Sequence, residues 1–83
     1  MKTRLLFFGR ITDQLGRERE LDIPAEGCTV GELRRRLAES DPVAAELFAG
    51  GRILASVDQE MAGDEVSVRP GQEVAFFSPL SGG

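Results

Sequence analysis

The chain opens with an apolar run, Thr3 to Phe8, of strand length and character. Gly9 to Gly16 follows as a turn or short helical bridge that holds Ile11 and Leu15. Glu18 to Ile23 then alternates, with Leu21 and Ile23 on one face and Glu20 and Asp22 on the other, until Pro24 ends the strand. Thr29-Val30-Gly31-Glu32 has capping-box spacing, in which the threonine side chain accepts from the backbone at Glu32 and the glutamate reaches back. It predicts a helix from about Val30 to Glu39 with Val30, Leu33 and Leu37 as its apolar stripe, and it puts Arg34-Arg35-Arg36 largely on a solvated face.

Asp41-Pro42 combines an N-cap with a proline at the first helical position, which predicts a short turn through Val43, Leu47 and Phe48 that Gly50-Gly51 terminates. Arg52 to Val57 sets Ile53, Ala55 and Val57 against Leu54 and Ser56, and Asp64 to Val68 is a short edge-like strand. Pro70-Gly71 suits the centre of a type II turn, and Glu73 to Phe77 is the closing strand. A hairpin-like pair, one main helix, a short second helix and a completing sheet make an α+β domain in the order of a β-grasp, or ubiquitin-like, fold. One helix should cover one face of a mixed sheet, with the first and last strands side by side in its middle. The domain spans residues 1–77, and 78–83 form a flexible tail ending in Gly-Gly.

Successive strand residues point to opposite faces, so Phe7 and Phe8 cannot both lie under the helix, nor can Phe76 and Phe77. Leu6 and Phe8 share one side of the first strand, and Ala75 and Phe77 share one side of the last. The uncovered face of the sheet therefore acquires an apolar patch close to the tail, of the kind that marks partner interfaces.

Eighty-three residues form one domain with a single modest core. Ten Lys and Arg against fourteen Asp and Glu give a net charge of −4, which disfavours nucleic acid and acidic membranes as partners. Leu5-Leu6-Phe7-Phe8 is far shorter than a signal-peptide core, and no apolar stretch approaches membrane-spanning length, so the expected location is cytoplasmic. Histidine is absent and Cys28 stands alone, which excludes a histidine-based triad, a Cys/His metal site and a disulfide framework. Cys28, near a helix start, reads better as half-buried filler than as a reactive thiol. Gly50-Gly51 is not followed by Lys-Ser/Thr, so no phosphate loop is present. The chain is catalytically empty by itself.

What remains is the last carboxylate, on Gly83. Gly82 and Gly83 lack a Cβ and can thread a narrow cleft, although a Gly-Gly end alone is equally well a frayed terminus. The wider context decides. Val74-Ala75-Phe76-Phe77-Ser78-Pro79-Leu80-Ser81-Gly82-Gly83 resembles the tail of the molybdopterin synthase small-subunit family. So do Leu5-Leu6-Phe7-Phe8-Gly9, Thr29-Val30-Gly31-Glu32-Leu33, and Val57-Asp58-Gln59 ahead of Pro70-Gly71-Gln72-Glu73. The chain departs from the family at Ser78, where a first proline is usual, and at Leu80, where valine is common. Loss of that proline leaves the tail's exit less stiff.

The resemblance implies a sulfur carrier that binds no cofactor of its own. A ubiquitin-activating-like adenylyltransferase would use ATP to adenylate the Gly83 carboxylate, which then becomes a thiocarboxylate and, with Gly82 threading the cleft, donates sulfur to a cyclic pterin precursor inside the large catalytic subunit. By the same resemblance Phe8, Met61, Phe77, Pro79, Leu80 and Ser81 meet partners, and two copies pair with two large subunits in a hetero-tetramer. The alternatives are a sulfur carrier for thiamine or tRNA thiolation, a ubiquitin-like modifier forming isopeptide bonds, and an interaction module with an incidental tail.

Overall fold

The computed structural model describes residues 1–50 and 52–78. Strand β1 (Lys2–Phe8) leads through a 3-10 turn (Gly9–Ile11) and helix α1 (Thr12–Leu15) into β2 (Glu18–Asp22). Strand β3 (Cys28–Thr29), helices α2 (Val30–Ser40) and α3 (Pro42–Gly50), and strands β4 (Leu54–Val57), β5 (Glu60–Met61), β6 (Ser67–Val68) and β7 (Glu73–Phe77) complete the chain order. Five strands form a mixed sheet in the order β2-β1-β7-β4-β5. β1 and β7 run parallel at its centre, and the other neighbours are antiparallel. This is the expected β-grasp arrangement.

The two longer helices begin as their sequences require. Thr29 accepts from the Glu32 N–H at 3.1 Å, while the Glu32 carboxylate accepts from the Thr29 N–H at 2.9 Å, so the capping box of α2 is complete. Asp41 accepts from the Val43 N–H at 2.9 Å and caps α3, with Pro42 at the first helical position. The expected short turn is thus a nine-residue helix. Its last expected stop residue, Gly51, lies outside the described residues.

The core is the inner face of the sheet packed on α2. Leu5 and Phe7 from β1, Val74 and Phe76 from β7, and Val30, Leu33 and Leu37 from α2 are each at most 1% exposed. The Phe7 and Phe76 rings stack at 6.3 Å, and Phe48 of α3 closes on Phe76 at 5.4 Å. α3 therefore covers the inner face and leaves the outer one open.

Three expectations need correction. The segment 64–68 is a strand only over Ser67–Val68, and it pairs with Cys28–Thr29 in a separate two-stranded sheet. The strand expected from Arg52 begins at Leu54. Arg34 is no solvated residue: its guanidinium lies 5.4 Å from the Phe76 ring centroid and 5.6 Å from that of Phe48, and its Nε donates to Asp64 at 2.8 Å. It lids the aromatic core and ties α2 to the segment ahead of β6, while Arg35 and Arg36 are exposed as expected.

Candidate functional site: an apolar row at the root of the tail

Period-two alternation sorts the sheet's residues onto two faces. In β1, Leu5 and Phe7 point inward; Leu6 is half-buried on the outer side and Phe8 is 52% exposed. In β7, Val74 and Phe76 are inward, and Ala75 and Phe77 lie on the outer face. The register then lines up the outward residues. Phe8 pairs with Phe77, and Phe77 with Leu54; one row over, Leu6 pairs with Ala75, Ala75 with Ser56, and Ser56 with Met61. Phe8, Phe77 and Met61 thus fall on one contiguous surface, with Leu54 at 38% and Met61 at 64% exposure.

Leu54 is the member that sequence reasoning left out of the patch. Its signal was present, since Ile53, Ala55 and Val57 alternate against it, but only the β4–β7 register shows that it lands beside Phe77. The exposed Arg4–Glu18 ion pair, 3.0 Å, bounds the patch beside Leu6, which stands opposite Glu18.

Met61 is held in place by an unusual hairpin. Asp58 and Gln59, between β4 and β5, have φ of 48° and 72°, both left-handed, as a two-residue hairpin of this twist requires. Non-glycine residues adopt that region reluctantly, and Asp58 offsets the cost with hydrogen bonds to Gln72 and Glu73. Its carboxylate accepts from the Glu73 N–H and from the Gln72 side-chain amide, each at 3.0 Å, and its own N–H donates to the Glu73 carbonyl at 2.8 Å. These bonds, the Glu73 N–H foremost, hold the Asp58 carboxyl below the usual aspartate range. They also tie the hairpin carrying Met61 to the first residue of β7.

The chain leaves the patch at once. Phe77 ends β7, and Ser78 passes so close to Gly9 that a Cβ there would stand 3.2 Å from the Ser78 hydroxyl oxygen. Gly9 takes φ +78°, where a side chain would be strained as well. The remaining expected site residues, Pro79, Leu80, Ser81, Gly82 and Gly83, lie outside the described residues.

The domain offers little bond-making chemistry. Cys28 is buried, and that burial pushes its thiol above the ordinary value, away from a reactive thiolate. No cluster of three metal-capable side chains occurs among the described residues, and no helix of theirs is long and apolar enough to cross a membrane. The arrangement can dock and present.

Comparison with known proteins agrees with this geometry. The ThiS family model matches residues 5–83. The molybdopterin synthase sulfur carrier subunit of Escherichia coli strain K12 is 31% identical over 80 residues, covering 96% of this chain and 98% of that protein. Its counterpart from Haemophilus influenzae Rd is 28% identical over 79 residues, covering 95% and 96%. Among solved structures, SAMP1 from Haloferax volcanii superposes with a TM-score of 0.80 at 25% identity over 100% of both chains. A putative molybdopterin converting factor subunit 1 from Pyrococcus furiosus gives 0.77 at 20% identity, over 96% of this chain and 99% of that one, a likeness of fold. With its β-grasp sheet order and a family match that runs from β1 through the last glycine, the chain belongs to the ThiS family.

Proposed function

We infer that the chain is the sulfur-carrier subunit of a molybdopterin synthase in molybdenum cofactor biosynthesis, working beside a larger subunit. The observation that carries this reading is the apolar row Phe8–Phe77–Leu54 at the strand end from which the Gly-Gly tail departs, in a domain matched end to end by curated sulfur carrier subunits. A domain so poor in reactive side chains acts through what it presents.

In the proposed cycle an adenylyltransferase binds the domain in the cytoplasm. A Gly83 carboxylate oxygen attacks the α-phosphate of ATP, pyrophosphate leaves, and the resulting acyl-adenylate is a far better electrophile than the carboxylate it replaces. A sulfur nucleophile attacks the acyl carbon and expels AMP, leaving a thiocarboxylate. The large subunit then takes up the tail, the thiocarboxylate sulfur displaces an oxygen substituent from a carbon of the pterin precursor, and water cleaves the resulting thioester, which leaves the sulfur on the precursor and restores the Gly83 carboxylate; two such deliveries complete the dithiolene. Docking through Phe8, Met61, Phe77 and the tail residues Pro79, Leu80 and Ser81 makes the sulfur transfer effectively intramolecular. Two carriers on two large subunits form the proposed hetero-tetramer, and nucleotide, pterin and metal sites belong to partners.

The test is the intact mass of the chain expressed with its native activating system. A gain of about 16 mass units, sulfur for oxygen, located on Gly83 by fragmentation so that methionine sulfoxide at Met1 or Met61 is set aside, is the expected result. Deletion of Gly83 should abolish sulfur transfer while urea unfolding and large-subunit binding stay close to wild type. Full activity of the truncated chain refutes the reading. The resemblance to SAMP1, called a small archaeal modifier protein, supports a second reading as a protein modifier. Lysine-linked adducts with an unmodified Gly83 carboxylate would establish that one instead.

A further inference from the structure

We propose that Arg10, Arg17 and Arg52 form a basic collar around the tail root that recognises a carboxylate-lined rim on the large subunit, and so orients the carrier as it docks. The collar rests on the sulfur-carrier reading and adds the chemistry of the partner's surface to it. Arg10 follows Phe8 by two residues, in the 3-10 turn. Arg17 is fixed beside β1, because its carbonyl accepts from the Phe7 N–H at 2.9 Å. Arg52 precedes Leu54 by two residues, and Leu54 pairs with Phe77. All three are exposed at the end of the sheet where the tail leaves.

Lys2, Arg4, Arg19, Arg34 and Arg35 each pair with a carboxylate, whereas Arg10, Arg17, Arg36, Arg52 and Arg69 have no ion pair among the described residues, and three of those five stand at this end of the sheet. Along the chain Asp13 lies three residues from Arg10 and Glu18 lies next to Arg17, and Glu18 is held by Arg4. At the other end of the same sheet the balance reverses, with Glu20, Asp22, Asp58, Glu60 and Glu73 against Lys2, Arg4 and Arg69. A protein of net charge −4 thus gathers three of the five cations that have no ion pair among the described residues beside the apolar row.

Exposed charges at an apolar patch's margin act on encounter more than on final affinity. An acidic rim would repel this acidic domain in most orientations and attract it in the one that brings Phe8 and Phe77 forward, with the tail root facing the partner. Because the three arginines are exposed, their pull should fade within the Debye length as salt rises.

The experiment is stopped-flow association of the full-length carrier with the large subunit from the same source, at roughly 50 and 300 mM salt. The triple variant R10E/R17E/R52E is compared with R35E/R36E/R69E, which makes the same charge change on exposed positions away from the tail root. R10Q/R17Q/R52Q repeats the collar test without charge reversal, and urea midpoints verify folding. The collar reversal should slow association at low salt by about tenfold or more and flatten its salt dependence, while the control changes it by less than about twofold and dissociation rates hold steady. Equal slowing in both triples, no slowing in either, or faster association of the collar variant overturns the collar. Failure of the wild-type chain to bind the large subunit overturns the sulfur-carrier reading instead.

Discussion

Two adjacent phenylalanines should respond to truncation in opposite ways. Phe7 is 1% exposed and stacks on Phe76, so Phe7→Ala opens a hole in the core, a change that costs about 3–5 kcal/mol. An 83-residue domain has a total stability of about 4–12 kcal/mol, so the variant should lose about a quarter of it or more. Phe8 is 52% exposed on the outer face. Phenylalanine side chains bury about 150–250 Å², so roughly 100 Å² of Phe8 remains for a partner to cover. At about 25 cal/mol per Å² that is about 2.5 kcal/mol, of which Phe8→Ala should forfeit about 2, a roughly 30-fold weakening of the Kd. Its effect on folding should stay below about 1 kcal/mol, as for an exposed strand position. Urea unfolding reads the first quantity, and calorimetric titration with the large subunit reads the second. A Phe8→Ala Kd within threefold of wild type refutes the docking role of the row, and a Phe8→Ala domain as unstable as Phe7→Ala refutes the assignment of faces.

The domain should also be sensitive to acid. The Glu32 carboxyl is held low chiefly by the Thr29 N–H, that of Asp41 by the Arg19 guanidinium and then the Val43 N–H, and that of Asp58 by the Glu73 N–H. Each binds its proton more weakly folded than unfolded, so its contribution is complete above the ordinary carboxylate range and is lost as pH falls through the lowered folded value. Urea midpoints should decline below about pH 4, and less steeply in Asp41→Asn; identical slopes would remove Asp41 from the account. Gly27→Ala should cost about 2 kcal/mol or more in urea unfolding, because Gly27 has φ +93° and a Cβ there would meet the Val68 carbonyl oxygen across the β3–β6 pair; a loss under about 0.5 kcal/mol contradicts that contact.

Local chemistry with a strong period was legible in the chain. The capping box at Thr29, the alternation in Glu73–Phe77 and the turn at Pro70-Gly71 all appear in place, the last with Gly71 at φ +93° and the Gln72 N–H donating to the Arg69 carbonyl at 3.1 Å. β3, β5 and β6 are two residues long, too short for a period of two to show, and they exist through long-range pairing. Arg34 was misplaced for a different reason. Val30, Leu33, Arg34 and Leu37 follow the i, i+3, i+4, i+7 spacing of one helical face, so the position was inward all along. Reading Arg34 by its charge hid that its long stem can pack on Phe76 while Asp64 satisfies its head. Arg19 repeats the lesson: it shares the inward phase with Leu21, packs 6.0 Å from the Phe7 centroid and ends its reach at Asp41, 2.9 Å away.

The direction of one strand pairing makes the rest of the site possible. Because β1 and β7 run parallel, their C-terminal ends coincide, so the second phenylalanine of each pair lands on the same face at the same end. An antiparallel pairing would have left Phe8 at the opposite end of β7 from Phe77 and from the tail, and a slip of one residue would have turned one of the two inward. Parallel neighbours lie about 4.8 Å apart, which fixes the patch beside the tail root whatever the tail itself does. Pro79 to Gly83 reach at most about 17 Å from that root when fully extended. Any chemistry on the Gly83 carboxylate must therefore take place within that radius of the docked patch, so a partner that grips Phe8 and Phe77 also limits where its reactive centre can stand. The fold supplies the anchor and the tail supplies the reach, and the identity of the attacking group, a sulfur nucleophile or a lysine amine, is left to the partner positioned inside that sphere.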